Sequence, residues 1–133
     1  MKLKDYIDAL KGYFTKFAIV GISGILVNLG VLALLKDGFD INVKLAGALA
    51  IEISIISNFL LNNFWTWKER RERSFWNRFV KYHMVTLISG AVNWIFLVVL
   101  TDYGLYYLLA QAIGIGAGMM INFFLNHHWT FKK

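Results

Sequence analysis

The sequence predicts an all-α integral membrane protein with four transmembrane helices arranged as two hairpins. The chain has 133 residues and is 58% hydrophobic, above the roughly 45–50% that is usual for soluble domains. Four apolar segments reach the length of about 20 residues that a helix needs to cross about 30 Å of hydrocarbon. A soluble four-helix bundle needs a polar face on each helix, which these segments lack. We expect spans near residues 17–35, 45–65, 82–101 and 105–126.

Amphipathic stretches precede the first and the third span. Apolar residues recur at helical spacing over residues 3–17 and again over residues 75–80. Each stretch either lies along the cytoplasmic interface or forms the start of the span helix, with its Lys side chains reaching to the interface. The sequence leaves both interpretations open. Because the first apolar run is long and has no A-x-A-like cleavage site, we expect this helix to be retained rather than removed as a signal peptide.

The basic residues predict the orientation. Twelve of the 14 Lys and Arg residues lie in residues 1–16, 68–81 and 132–133, on one side of the predicted membrane. By the positive-inside rule, both termini and the central loop are cytoplasmic. The formal net charge of +6 is therefore anchoring charge, and no nucleic-acid partner is predicted. The chain has no Pro, which favours continuous helices, and no Cys, which excludes disulfides and thiolate metal sites.

An internal repeat relates the two halves of what we expect to be a single domain over residues 1–133. An offset of 65 residues aligns the first span with the third, and an offset of 64 aligns residues 45–66 with 109–130 at ten identical positions of 22. Repeat one covers about 1–67 and repeat two about 68–133. Since each repeat contains two spans, both repeats start on the same side, which predicts parallel repeats about an axis along the membrane normal.

The repeat contains a stripe of small residues that ends in two amides. These residues follow one another at intervals of four and so share a helix face: Ala46, Ala50, Ser54, Asn58 and Asn62 in span two, and Ala110, Gly114, Gly118, Asn122 and Asn126 in span four. Small faces allow helices to approach closely in lipid, so we expect spans two and four to pack together here. The amides either only join the helices or bind a substrate. The neighbouring Trp65, Trp67 and Trp129 either form an aromatic belt or belong to the same site.

Glu52 is the only carboxylate well inside a span. An ionised acid at that depth costs about 2.5–3.5 kcal/mol, so it is protonated, paired or in contact with water. It is a candidate for proton coupling, an acceptor for substrate hydroxyls, or a structural hydrogen-bond partner. The repeat has Gly116 at the matching position. Asn28 and Asn93 are equivalent amides deep in spans one and three, with either an interhelical or a substrate role.

No part of the sequence predicts catalysis. It has no Gly-rich phosphate loop, no nucleophile paired with a base and no cofactor motif. His127 and His128 are adjacent and therefore point to different helix faces, so we predict no metal site. We expect a protein that is not an enzyme and has no cofactor.

The repeated motifs resemble the GtrA-like family of small membrane proteins over nearly the whole chain. They are Phe17-x-x-Val20-Gly21 with Asn28, Asn58-Phe59-Leu60-Leu61-Asn62 with Trp65-Thr66-Trp67, and Asn122-Phe123-Phe124-Leu125-Asn126 with Trp129-Thr130-Phe131. This chain has His127-His128 where the family commonly has a basic residue. The resemblance implies a flippase that moves polyprenyl-phosphate-linked sugars across the cytoplasmic (plasma) membrane, for glycosylation of cell-surface polysaccharide or teichoic acid.

That function assigns roles to the polar residues. Sugar hydroxyls would bind Glu52, Asn28, Asn58, Asn62, Asn93, Asn122 and Asn126, beside Trp65 and Trp129, with a polar path past Glu52. The phosphate would bind at the cytoplasmic edge to Lys16, Arg70, Arg71, Arg73, Arg78 and Lys81. The expected partners are membrane lipid, the polyprenyl-phosphate sugar and a membrane glycosyltransferase. Four spans leave little room for a head-group path, so a homodimer is compatible with the sequence.

Two other functions fit the same residues. A small proton-coupled exporter of drugs or cations would use Glu52 to bind its cargo. A non-transporting partner of a membrane glycosyltransferase would use the four helices as a scaffold.

Overall fold

A computed structural model describes residues 1–132, with side chains at every position except 43, 44, 107, 108 and 111. Every regular element in this part of the chain is helical. The four α-helices are α1 (Leu3–Ala33), α2 (Val43–Leu61), α3 (Phe75–Asp102) and α4 (Tyr107–Leu125). Three short π-helical segments follow α1, α2 and α4: π1 (Leu34–Gly38), π2 (Asn62–Thr66) and π3 (Asn126–Thr130). Lys133, which we counted with the basic C-terminus, lies outside the described residues.

The helices confirm a multi-pass, all-α membrane protein. Within the described residues, three helical stretches are long and apolar enough to cross a membrane: Leu3–Gly38, Leu45–Thr66 and Phe75–Asp102. The fourth helix, α4, has 19 residues and is therefore about 28 Å long at 1.5 Å per residue. The sidedness of the termini stays a prediction from the charge distribution.

The amphipathic stretches are continuous with the span helices. α1 runs for 31 residues, or about 46 Å, which is longer than the hydrocarbon layer of about 30 Å. α3 begins at Phe75, where the Ser74 hydroxyl oxygen accepts a hydrogen bond from the Asn77 backbone N–H at 3.2 Å, a standard N-cap. Neither helix breaks between its amphipathic and its apolar part. Of the two interpretations that the sequence allowed, the structure therefore favours the extended start of a span helix.

The chain divides into two compact units, unit 1 (Met1–Lys68) and unit 2 (Glu69–Lys133). Each unit is a hairpin in which the first helix packs against the second. Equivalent positions of the repeat are buried in both units: Phe17, Val20, Phe59 and Trp67 in unit 1, and Tyr82, Val85, Phe123 and Phe131 in unit 2. The same four positions thus supply large apolar side chains to the core of each hairpin.

Both hairpins end in the same local structure. The Trp67 N–H donates to the Asn62 carbonyl oxygen at 2.9 Å, and the Phe131 N–H donates to the Asn126 carbonyl oxygen at 2.8 Å. These bonds span five residues and close the π-helical turn. The turn brings the following aromatic ring back onto the first helix of its own unit. The ring centroids are 5.8 Å apart for Phe17 and Trp67, and 6.5 Å apart for Tyr82 and Phe131.

The small-residue stripe contacts the first helix of its own unit. A methyl group added at Gly24 of α1 would overlap the side chain of Asn58 in α2, and one added at Gly118 of α4 would lie 2.8 Å from the Ser89 carbonyl oxygen in α3. The packing of spans two and four against each other stays a prediction from the sequence. A small side chain permits close approach of any helix, so the stripe by itself does not determine which helix it contacts.

Candidate functional site

Unit 1 contains a groove between its two helices, which we call the unit 1 groove. Gly21, Gly24 and Asn28 line it from α1, and Ser54 and Asn58 line it from α2. Its volume is about 290 Å³. Small-molecule sites generally occupy about 300–1,000 Å³, so the groove has room for one small ring.

One residue in the lining of the groove carries a buried hydrogen-bond acceptor. The Asn58 Oδ1 atom is buried and has no hydrogen-bond partner among the described residues. Its amide occupies the place that a side chain at position 24 would take, because a methyl group added at Gly24 would lie within 2.7 Å of three Asn58 side-chain atoms. The neighbouring Ser54 hydroxyl donates to the Ile51 carbonyl oxygen at 2.9 Å, which leaves its oxygen free to accept. Since an unpaired buried acceptor costs about 1–3 kcal/mol, this arrangement favours a ligand with hydroxyl donors.

The equivalent place in unit 2 is occupied by the protein's own polar groups. Thr86 and Ser89 stand where α1 has Gly21 and Gly24. The Asn122 Nδ2 donates to the Ser89 Oγ at 3.1 Å, and the Asn122 Oδ1 accepts from the Asn126 Nδ2 at 2.5 Å. The Ser89 hydroxyl in turn donates to the Thr86 carbonyl oxygen at 3.0 Å. The amide that corresponds to Asn58 therefore has a partner at both ends.

The helices of unit 2 also approach each other more closely at this level. Methyl groups added at Gly114 and Gly118 would lie 2.7 Å and 2.8 Å from backbone carbonyl oxygens of α3. The corresponding positions of unit 1 are Ala50 and Ser54, which carry side chains. Gly114 also accommodates Asn93, whose Oδ1 is buried without a hydrogen-bond partner in the described part of the chain.

A lysine lies over a tryptophan at the end of each hairpin. The Lys16 Nζ is 5.7 Å from the centroid of the Trp65 ring, and the Lys81 Nζ is 5.0 Å from the centroid of the Trp129 ring. Both pairs occupy equivalent repeat positions and have the geometry of cation–π contacts. At the predicted cytoplasmic edge, each ammonium group keeps donors that can reach an anionic phosphate.

Arg70, one of the predicted phosphate ligands, binds the end of unit 2. Its Nε donates to the Phe131 carbonyl oxygen at 2.9 Å, and its Nη2 donates to the His127 carbonyl oxygen at 3.0 Å. The last carbonyls of a helix lack intrahelical partners and carry partial negative charge. Arg70 therefore satisfies them and neutralises part of the helix dipole.

Arg78 is also engaged within unit 2. Its side chain is buried, and its guanidinium donates to the carbonyl oxygens of Arg73 and Arg71 in the central loop. The side chain of Arg71 is exposed and that of Arg73 is half-buried. The six basic residues that the sequence grouped together thus fall into distinct structural roles, and Lys16 and Lys81 are the ones that lie beside the tryptophans.

His127 is buried, with 3% of its surface exposed, and follows the fourth predicted span. Burial, together with the nearby Arg70 and His128, lowers the pKa of His127 to about 4, so the ring is neutral at pH 7. Unit 1 has the buried Asn63 at the matching position, and both units therefore carry a neutral polar group here. Among the described residues, no three His, Cys, Asp or Glu side chains are grouped so that they could hold a metal ion.

The other predicted site residues are distributed over unit 1 as follows. Asn28 and Asn58 come together in the groove. Asn62 lies in π2, where its Oδ1 accepts from the Thr66 hydroxyl at 2.8 Å. Glu52 is exposed on α2 and is not one of the residues that line the groove.

From the sequence, Gly21 was named only as part of the Phe17-x-x-Val20-Gly21 motif, and Gly24 and Ser89 were not predicted as site residues. A comparison of the two repeats could have identified these positions, because the two copies carry different residues there. The repeat places Gly21 and Gly24 opposite Thr86 and Ser89, and these substitutions distinguish an open groove from a filled one.

Comparison with known proteins gives matches over most of the chain. A family model described as "GtrA/DPMS, transmembrane domain" matches residues 16–131. A dolichol-phosphate mannosyltransferase from Pyrococcus furiosus is 38% identical over 130 residues, which are 98% of this chain and 36% of that relative. The chain thus spans about a third of the length of this relative. The uncharacterized membrane protein YngA from Bacillus subtilis is 23% identical over 116 residues, which are 87% of this chain and 77% of that protein.

Proposed function

Because this chain belongs to the GtrA/DPMS transmembrane-domain family, we propose that it binds a polyprenyl-phosphate-linked sugar and moves its head group across the membrane. The observation that carries the proposal is the unit 1 groove, in which Asn58 presents a buried acceptor without a partner among the described residues. The polyprenyl chain stays in the bilayer, and the polar head must exchange water for protein groups. Amide and hydroxyl side chains supply the required donors and acceptors.

The head group binds in two parts. Its sugar ring enters the groove between Asn28 and Asn58, and its phosphate stays at the cytoplasmic edge beside Lys16 and Trp65. Lys16 precedes Gly21 by five residues, or about 7.5 Å along the helix axis, so one small head group can span both places. Because Glu52 lies outside the groove, we assign the sugar hydroxyls to the two amides instead.

The proposal includes the orientation and cellular context. Both termini and the central loop face the cytoplasm, and the protein resides in the plasma membrane as a non-catalytic component of cell-surface polysaccharide or teichoic-acid glycosylation. A membrane glycosyltransferase acts on the lipid-linked sugar that this protein delivers, and two copies of the chain associate to complete the path. The basic residues over 68–81 and the Lys-rich N-terminus support this orientation.

Reconstitution in liposomes tests the translocation directly. A polyprenyl-phosphate glucose with a labelled sugar is placed in the outer leaflet, and the label that becomes protected from an external reagent is measured. Asn58→Leu should slow translocation by about tenfold or more, since an acceptor contact worth about 1.4 kcal/mol corresponds to a factor of ten. Asn77→Leu, the same change at an exposed position, serves as the control. Unchanged translocation by the Asn58 variant would contradict the proposal.

The length of one relative favours a second candidate function. The mannosyltransferase from Pyrococcus furiosus extends well beyond the region that this chain matches. The four helices would then hold a lipid-linked sugar for a glycosyltransferase without moving it. In the same liposomes, binding of the labelled lipid without any protected label would support this second function.

A further inference from the structure

Among the differences between the two hairpins, one group lies about midway along the helix pairs. The two hairpins share their buried core positions, their π-helical ends and their lysine–tryptophan pairs. In this group, Gly21, Gly24 and Ser54 of unit 1 correspond to Thr86, Ser89 and Gly118 of unit 2. In unit 1 the small residues lie on the first helix, whereas in unit 2 they lie on the second.

We propose that unit 1 alone holds the sugar ring, that unit 2 is its filled structural counterpart, and that Gly24 determines the difference. This inference rests on the proposed function for the identity of the lipid-linked ligand. It adds that the sugar ring binds to unit 1 and that Gly24 makes room for this binding.

The two equivalent amides, Asn58 and Asn122, have different surroundings. In unit 2, the hydroxyl of Ser89 accepts a hydrogen bond from Asn122 at 3.1 Å. In unit 1, the position of Ser89 is taken by Gly24, and the Asn58 amide lies in the space that the missing side chain leaves. A ligand hydroxyl in the unit 1 groove can accept from the Asn58 Nδ2, as Ser89 accepts from the Asn122 Nδ2. A second ligand hydroxyl can donate to the Asn58 Oδ1, which takes the part that Asn126 has in unit 2.

Binding of a sugar ring in unit 2 would cost hydrogen bonds that the protein already makes. A sugar hydroxyl would have to displace the bonds that Asn122 makes with Ser89 and Asn126, and each displaced group would need a new partner. The close approach of the helices at Gly114 and Gly118 opposes insertion as well. The ring therefore binds in unit 1, where no described hydrogen bond of Asn58 has to be broken.

The lining of the unit 1 groove indicates the chemistry of its ligand. None of the described residues that line the unit 1 groove is charged, so they offer no counter-charge to a phosphate group. The polar lining comes from Asn28, Ser54 and Asn58, and the apolar lining comes from Ile25 and Leu29. A sugar ring matches this lining, since it carries hydroxyl groups at its edge and C–H groups on its faces. The groove should therefore recognise the sugar, and the lysines outside it the phosphate.

A titration of the full-length protein in lipid nanodiscs tests this division. The two probes are a ten-carbon polyprenyl phosphate that carries glucose and the same polyprenyl phosphate without sugar, with heats of binding measured by calorimetry. Wild type should bind the glucose-bearing probe about tenfold more tightly, as expected for one or two additional hydrogen bonds. Gly24→Ser should abolish that preference, because the new side chain takes the space in which the Asn58 amide lies and displaces it from the groove.

Two matched variants complete the experiment. Gly30→Ser makes the same change on α1 in open space, and Ser89→Gly removes the hydroxyl of unit 2; both should keep the tenfold preference. If Gly24→Ser does not fold, Asn28→Val removes a groove amide without a clash at Gly24 and should also abolish the preference. The inference is overturned if wild type shows no preference, if the groove variants retain it, or if Ser89→Gly loses it. The proposed function fails separately, if liposomes show no translocation while this pattern of preferences holds.

Discussion

Unit 1 and unit 2 have the same ends and different middles. At the ends, an Asn-Phe-x-Leu-Asn-x-x-Trp-Thr segment closes a π-helical turn in both hairpins, and a lysine of the first helix lies over the tryptophan. In the middle, unit 1 has a groove beside Asn58, while unit 2 has a chain of hydrogen bonds through Asn122. The comparison teaches that the residues shared by the two repeats build the scaffold, and that their differences mark the candidate site.

The largest effect on stability is expected where Arg70 holds the end of unit 2. Arg70→Ala removes two charge-assisted hydrogen bonds to the carbonyl oxygens of His127 and Phe131. The free energy of unfolding should fall by about 2–3 kcal/mol. Titration with SDS, followed by tryptophan fluorescence, measures it. Arg73→Ala, the same change at another position of the central loop, is the control. A loss of less than about 0.5 kcal/mol for Arg70→Ala would show that the two bonds do not hold this end.

The next effect distinguishes the two equivalent amides. Asn122→Ala breaks the bonds to Ser89 and Asn126 and should cost about 1–2 kcal/mol of unfolding free energy. Asn58→Ala removes an amide whose Oδ1 has no partner among the described residues, so its cost should be smaller by at least half. Equal losses of unfolding free energy in the same SDS titration would contradict the proposed difference between Asn58 and Asn122.

A smaller and symmetrical effect is expected at the lysine–tryptophan pairs. Lys16→Met and Lys81→Met keep the aliphatic stem but remove the charge over Trp65 and Trp129. Each change should lower the unfolding free energy by about 0.5–1 kcal/mol, and the two values should agree within a few tenths. A large difference between the two variants would show that the ends are not equivalent.

The smallest effect at neutral pH is expected at His127. His127→Asn gives unit 2 the residue that unit 1 has at Asn63, and both groups are neutral at pH 7. In wild type the pKa of the folded state is about 4, below the ordinary value near 6.5. The unfolded state therefore takes up the proton first, and stability is lost as the pH falls from about 6.5 to about 4. Thermal unfolding at a series of pH values should show a smaller acid-induced loss for the variant than for wild type. Parallel curves would contradict this assignment.

The scaffold was largely predictable from the sequence. Long apolar runs predict the helices, and the repeated Asn-Trp segment predicts equivalent ends, because both signals depend on local composition and spacing. The structure adds one feature that helical periodicity does not indicate. The backbone carbonyl oxygens of Asn62 and Asn126 each accept a hydrogen bond from the N–H five residues further along the chain, which closes a π-helical turn. Hydrophobic periodicity also could not show that the amphipathic start and the span of α1 form one helix.

The candidate site was predictable only in part. Asn28 and Asn58 were expected to bind substrate, and they lie together in the groove. Glu52 attracted attention because of its charge, yet it is exposed on α2 and outside that groove. Arg70 and Arg78 were grouped with the phosphate ligands by charge alone, whereas their positions relative to backbone carbonyls decide their contacts. Charge and residue type can be read from a sequence, but the direction of a side chain depends on tertiary packing.

Photo-crosslinking of the sugar shows directly whether unit 1 holds the head group. A polyprenyl-phosphate glucose with a diazirine on the ring is bound to the full-length protein in nanodiscs, irradiated, and the adducts are mapped by mass spectrometry. We predict adducts within residues 21–29 and 54–58, which include the lining of the unit 1 groove, and their loss in Gly24→Ser. Adducts confined to the equivalent residues of unit 2, within 86–94 and 118–122, would contradict the account.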